Sequence, residues 1–451
     1  MQKIKQALYW LGTTLIVIAP ALYNRYPLVY FDTGAYLEMS INLESSFHRT
    51  LGYPLLLKLT GWGISNWPIV LFQGFLVSFL LFQLIKIFQK KNSRQVHFIV
   101  VTVLSFCTGL SWYAAQLMPD IFTLILILSI AVLFFKTQLK IIEAIGLLAL
   151  IYISILTHLS HLPLMFLCCV AWFGLSFFKP LGIEKKSNMF WLKAAAPMVL
   201  AFITFSGINA AQGHGFKMSL SSNVFITANL GEMGILKMYL EENCGEKDLP
   251  FCGDIAYLPI ETGGFLWDQN SYMTTHTGGW EKANEECAPI VHDFLTKPRY
   301  LKWFVFSAVK ATFKQLFQVD LGSGLHYQYA EGSSPYWPMK SHFKQELNEY
   351  LGSIQNKKDE LPLDFFKRLN QVTLAISILI IGLLVLRKEL SSKLLLLLLF
   401  FVIAYCFHAA ITGVLANVYD RLQGRVVPLI QLFALLALAE YWYSRKEKVE
   451  A

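Results

Sequence analysis

Blocks of fifteen to twenty apolar residues, separated by short stretches rich in lysine and arginine, recur along most of the 451 residues. A block such as Leu394–Thr412 has no charge with which to face water, and it is long enough to enter hydrocarbon as a helix. The chain is 55% hydrophobic and 15% charged, which removes a soluble globular domain from consideration. Ten spans are expected: Leu8–Tyr23, Ile69–Phe88, His97–Trp112, Ile121–Phe135, Ile141–Thr157, Leu162–Phe178, Phe190–Ala210, Val372–Leu386, Leu394–Thr412 and Val426–Tyr443. The fold class expected is therefore an all-α polytopic membrane protein. An A-x-A-like Ala19-Pro20-Ala21 closes the first block, but proline inside that site argues for a retained span.

The basic residues orient the spans. With the N-terminus cytoplasmic, eighteen Lys and Arg fall on the cytoplasmic side. Five (Arg25, Arg49, Lys58, Arg421 and Arg425) fall on the other side outside the long loop. Such a bias places both termini in the cytoplasm. The net charge of +8 sits in these clusters, so nucleic acid is not an expected partner. No Asn-x-Ser/Thr sequon occurs, which fits a bacterial inner membrane better than an endoplasmic reticulum.

Three parts are expected: a first membrane module over residues 1–210, a large outer loop or cap over 211–371, and closing spans over 372–451. The first outer segment, 24–68, contains two short apolar stretches that read as helices lying in the interface. Tyr300–Phe317, with Lys302, Lys310 and Lys314, reads as another. Of the seven cysteines, Cys244, Cys252 and Cys287 lie in the outer loop. A Cys244–Cys252 disulfide with Cys287 left over is expected there. No cytoplasmic connection is long enough for a nucleotide-binding domain, and no P-loop is present. Chemistry is expected on the outer face or within the membrane, without a cytosolic ATP or nucleotide-sugar site.

The polar residues that flank the spans collect on that face. Asp32, His48, Arg49 and Tyr53 lie in the first outer segment, and Gln116 and Asp120 lie between spans three and four. His158 and His161 lie between spans five and six; Asp420, Arg421 and Arg425 precede span ten. Guanidinium forks match phosphate oxygens, so Arg49, Arg421 and Arg425 suit an anionic lipid-linked substrate. Asp32 suits a general base, and Asp120 could share a divalent cation with it. His48, Tyr53, Gln116, His158, His161 and Asp420 fall on the substrate side. Plainer roles suit the same residues: Asp120 after Pro119 as a helix cap, the histidines as helix-end hydrogen-bond partners, Arg421 and Arg425 as headgroup anchors. His408, inside span nine, reads as a buried hydrogen-bonded imidazole.

Four short elements resemble the GT-C superfamily, membrane glycosyltransferases that use polyprenyl-phosphate sugars, such as protein O-mannosyltransferases and lipid A aminoarabinose transferases. They are Tyr30-Phe31-Asp32 with Tyr36-Leu37, the stretch His48-Arg49-Thr50-Leu51-Gly52-Tyr53-Pro54-Leu55, Pro119-Asp120, and Tyr419-Asp420-Arg421 with Arg425. The resemblance implies inverting transfer of a sugar from a polyprenyl-phosphate donor to a lipid, glycan or protein acceptor. Asp32 would be the base, Asp120 would orient the acceptor or a metal, and Arg49, Arg421 and Arg425 would hold the donor phosphate. Thr33 stands where the protein mannosyltransferases carry a second acid. A transporter or flippase for an anionic or lipid-linked solute, and an O-antigen polymerase- or ligase-like enzyme, are the competing expectations.

Overall fold

The computed structural model describes residues 2–245, 249–268, 271 and 279–450. Among them the chain is helical throughout, and its only β pairing is two isolated bridges, Leu28–Gln116 and Ser46–Arg49. Five helices are long and apolar enough to cross a membrane: Trp67–Phe88, Asn188–Ala211, Leu363–Leu386, Ser392–Leu415, and the run from Asp420 to Arg445. Four shorter apolar helices accompany them: Ser93–Cys107, Ile121–Phe135, Ile141–Thr157 and His161–Leu175.

Two expected spans are broken. Leu8–Tyr23 is split into Gln2–Val17 and Ala19–Asn24, because Pro20 lacks the N–H that would continue the ladder. His97–Trp112 is split into Ser93–Cys107 and Leu110–Ala114, with Thr108 extended between them. The final expected span also starts late: Asp420–Gly424 is a separate turn of helix, and the long helix begins at Pro428.

Ile121–Phe135 is the centre of the bundle. Every one of its 15 residues is buried, as a helix apolar on all sides requires. It packs on Trp67–Phe88, Ile141–Thr157, His161–Leu175 and Ser392–Leu415. At about 1.5 Å per residue it is roughly 22 Å long, short of the ~30 Å of a hydrocarbon core. Asp120 stands at its N-terminus.

The expected outer loop divides into three. The described residues between 222 and 296 form a cap with its own core around Val224, Leu236, Tyr239, Phe265, Ile290 and Phe294. The Cys244–Cys252 disulfide forms there and Cys287 is a free, buried thiol. Pro298–Leu316 leaves the cap and packs along Ser392–Leu415. Residues 320–356 fold back on the first outer segment. There the Glu346 carboxylate accepts hydrogen bonds from Tyr26 Oη (2.8 Å), Ser65 Oγ (2.5 Å) and the Asn66 backbone and side chain. Gln355 accepts from Val29 N and donates to Val29 O.

Helices form where expected in the first outer segment, Thr33–Asn42 and Gly52–Gly61. Both start at glycines that touch backbone. A Cβ on Gly34 would lie 2.3 Å from Ser334 O, and one on Gly52 would lie 2.0 Å from Leu156 O. Gly34→Ala is expected to lower stability by about 1–3 kcal/mol, as overpacking does. The detergent-solubilised protein should show it as a lower unfolding midpoint, and an unchanged midpoint would contradict the close approach.

Candidate active site

Asp32 occupies the position before helix Thr33–Asn42, and its carboxylate meets two arginines from distant segments. Arg49 Nη2 donates to Oδ1 at 2.5 Å, and Arg421 reaches Oδ2 with Nη1 at 3.3 Å. Arg421 also lies beside Asp120: its Nε is 3.5 Å from Asp120 Oδ1. That Nε is buried and satisfied by no hydrogen bond. Arg425 Nη1 meets the same Asp120 oxygen at 3.4 Å. One guanidinium thus bridges both carboxylates. Three guanidinium groups face two carboxylates, so the cluster carries a surplus positive charge.

The inner end is closed by hydrogen bonds whose directions are fixed. Arg425 donates from Nε and Nη2 to His408 Nε2, both at 3.2 Å. His408 must therefore carry its proton on Nδ1, which donates to Gln423 Oε1 at 3.0 Å. The Gln423 amide donates in turn to Tyr405 O. His408, expected to have no ionisable neighbour at its depth, instead holds an arginine. The reason is that Asp420–Gly424 descends alongside Ser392–Leu415. His408 lies seven residues from that helix's end, so Arg425 sits roughly 10 Å inside it. Arg425 is 1% exposed, and this makes it the partner of Asp120 rather than a group at the surface.

The outer end is more open. The side chain of Asp32 is 22% exposed and that of Arg49 is 13%. Tyr30 lies under the Arg421 guanidinium, its ring centroid 4.1 Å away. His48 contacts Arg49 and packs against two cap residues, edge-on to Trp267 and tilted on Trp280, with ring centroids 5.1 and 4.8 Å away. The cap therefore leans on the first outer segment directly beside Asp32. Burial pushes the Asp32 carboxyl upward, but the Arg421 and Arg49 charges outweigh it and hold the group below the ordinary carboxylate range. Burial, with the Arg49 charge, pushes His48 down to about 3.

Other expected site residues belong to the framework. Tyr53 is fully buried and donates to Gln73 Oε1 at 2.9 Å; the Gln73 amide donates to Ala114 O and Gln116 O. The Gln116 amide donates to Trp112 O. These bonds hold the strand-like stretch before Asp120 against Leu28, whose N–H donates to Ala115 O and whose carbonyl accepts from Leu117 N. His158 Nδ1 accepts from Ser160, and His161 is held between Thr123 Oγ1 and Ser154 O. Asp420 accepts from Asp320 N at 3.3 Å, outside the arginine cluster. Sequence reasoning did not foresee Tyr30, Trp267 or Trp280, whose roles depend on which distant arginine or imidazole reaches them.

The shared cation does not fit. Among the described residues no three His, Cys, Asp or Glu converge, and each carboxylate is met by guanidinium groups. No protein-family model matches the chain, and neither a curated protein nor a solved structure does.

Two outcomes follow from this geometry. Asp120→Asn leaves Arg425 buried without its carboxylate and should cost about 3–5 kcal/mol. Adding Arg425→Met should recover part of that loss in unfolding titrations, and additive effects would show that the pair is not coupled. The folded His48 takes no proton until far below the ~6.5 of a free imidazole, so acid favours the unfolded chain, which does. The unfolding midpoint should therefore fall more steeply from about pH 6.5 toward pH 3 in the parent than in His48→Phe. Parallel curves would remove His48 from that role.

Proposed function

We propose that the protein is a glycosyltransferase that moves a sugar from a polyprenyl-phosphate donor to an acceptor hydroxyl on the outer face of the membrane. Counting the four shorter apolar helices and the pair Gln2–Val17 and Ala19–Asn24 as crossings gives ten spans, and the charge bias then puts the Asp32 cluster outside. The observation that carries the reading is the double clamp on Asp32: a partly buried acid held by two arginines, one of which has an unsatisfied buried donor.

An acid held so low is a weak base at neutral pH. A donor phosphate would compete for Arg49 and Arg421, offering oxygens to the same forks and to the free Arg421 Nε. As the arginines turn to the phosphate, Asp32 loses its clamp and becomes more basic. The acceptor hydroxyl then attacks the anomeric carbon and gives its proton to Asp32. The bond from that carbon to the phosphate oxygen breaks, and its electron pair leaves with the phosphate, held by the two arginines. Donor binding and base activation are thereby coupled. Arg425 and His408 keep Asp120 in place behind Arg421.

An apolar cavity of about 200 Å³ lies among Ile378, Leu398, Phe401, Leu429 and Phe433, and reaches Tyr405. Tyr405 O accepts the Gln423 amide, which places this cavity at the inner end of the same hydrogen-bonded run. A prenyl chain seated there would need no polar contact.

The test is transfer of radiolabelled sugar from a panel of polyprenyl-phosphate sugars by the purified protein in lipid nanodiscs. Asp32→Asn should lower the rate by about 10²–10⁴, the range of a general base, with expression unchanged. Arg421→Ala should raise the donor KM. Chelation by EDTA should leave the rate alone, because among the described residues no donor set for an exchangeable metal converges on either acid. Full activity in Asp32→Asn would sink the base assignment.

A further inference from the structure

Pro298–Leu316 carries Arg299, Lys302, Lys310 and Lys314 and no acid. Its buried side, with Ser307, Ala311 and Gln315, lies on Ser392–Leu415. The approach is close: a Cβ on Gly413 would be 3.1 Å from Ala311 O. Tyr405 Oη donates to Leu316 O at 2.9 Å. The opposite side is uncovered. Leu301, Val305, Phe306, Val309, Phe313 and Phe317 all face outward, Phe306 at 74% and Phe317 at 66% exposure.

At about 100° per residue these six occupy one continuous arc. Lys310 and Lys314 stand along one edge of the arc, and Lys302 stands within it at the N-terminal end. Arg299 is engaged by Glu242. Lys302, Lys310 and Lys314 form no ion pair among the described residues. An apolar arc edged by free cations suits the boundary between acyl chains and anionic headgroups. The arc also continues the surface of Ser392–Leu415, a helix long and apolar enough to cross the membrane.

We infer that this helix is a docking surface for acidic phospholipid, with Lys302, Lys310 and Lys314 on the headgroup phosphates and the aromatic arc among the acyl chains. Its C-terminal end meets the candidate site. Gln315 exchanges two hydrogen bonds with the Tyr419 backbone, at 3.1 and 2.8 Å, and Asp420 and Arg421 follow directly. Lys314 neighbours Gln315, so the lysine edge ends beside the segment that carries Arg421. The surface stands on its own geometry, whether or not Asp32 acts as a base.

The test titrates dioleoyl phosphatidylglycerol, against dioleoyl phosphatidylcholine, into the detergent-solubilised full chain. Bound lipid is counted by native mass spectrometry and the unfolding midpoint is followed in parallel. A basic side chain near an acidic surface is worth roughly fivefold in affinity. The parent chain should prefer phosphatidylglycerol. The triple variant Lys302→Gln, Lys310→Gln, Lys314→Gln should lose at least about tenfold of that preference. A control with Lys340→Gln, Lys344→Gln and Lys358→Gln, exposed elsewhere on the outer segment, should keep it. If the triple variant does not survive purification, the three single variants carry the test, each with a several-fold loss. Retained preference in the lysine variants, or an equal loss in the control, would overturn the assignment.

Discussion

Arg421 touches both acids of the cluster, and that contact governs how the rest of the chain can fold. Charges taken out of water are costly, and an ion pair repays the cost only when each partner is met from the right side. Here the partners come from four separate stretches: Asp32 and Arg49 from the first outer segment, Asp120 from the head of the central helix, Arg421 and Arg425 from the turn before the last helix, and His408 from Ser392–Leu415. None of these can shift alone without stranding a buried charge. The cluster is therefore a structural clamp as well as a candidate site, and the two roles are not in conflict. The Arg425 side, closed by His408 and Gln423, is the clamp. The Asp32 side, where exposure begins and one guanidinium donor is unsatisfied, is where a ligand has something to gain.

The framework that presents Asp32 is built from polar side chains, with the Glu346 carboxylate among them. Glu346 gathers Tyr26, Ser65 and Asn66, and Gln355 pairs with the backbone of Val29. Gln73 joins Tyr53 to the stretch before Asp120. Each buried amide or carboxylate is satisfied by groups far away in sequence, so the loops it joins are held in one arrangement. The cap is attached differently. Beside the site it meets the first outer segment through ring contacts: His48 packs on Trp267 and Trp280, and the Arg49 guanidinium lies over Trp267.

Much of the architecture was legible. Apolar block length marked the helices, and the central helix announced itself by carrying no polar face. The acids and arginines were legible as a group because each flanks a span at the same side. The Cys244–Cys252 pair was legible from its place in an outer loop. Depth was not. Arg425 reads as an edge residue because it precedes an apolar block, yet Pro428 delays the helix and the turn at Asp420–Gly424 drops inward beside His408. Tyr53 and Gln116 read as substrate contacts because they stand next to site residues in the chain. Their side chains point the other way, toward Gln73 and Trp112.

The sequence by itself determined the class of fold, the orientation expected of the spans and the set of charged residues gathered at one face, because these follow from local hydrophobicity and from which side of a span a residue flanks. Only the tertiary structure decided which arginine meets which acid, that Arg421 bridges two of them, and that residues 320–356 lock the Asp32 loop. Those pairings join positions up to several hundred residues apart. They are selected by the cost of leaving a buried charge or amide without a partner, a condition that no local pattern records.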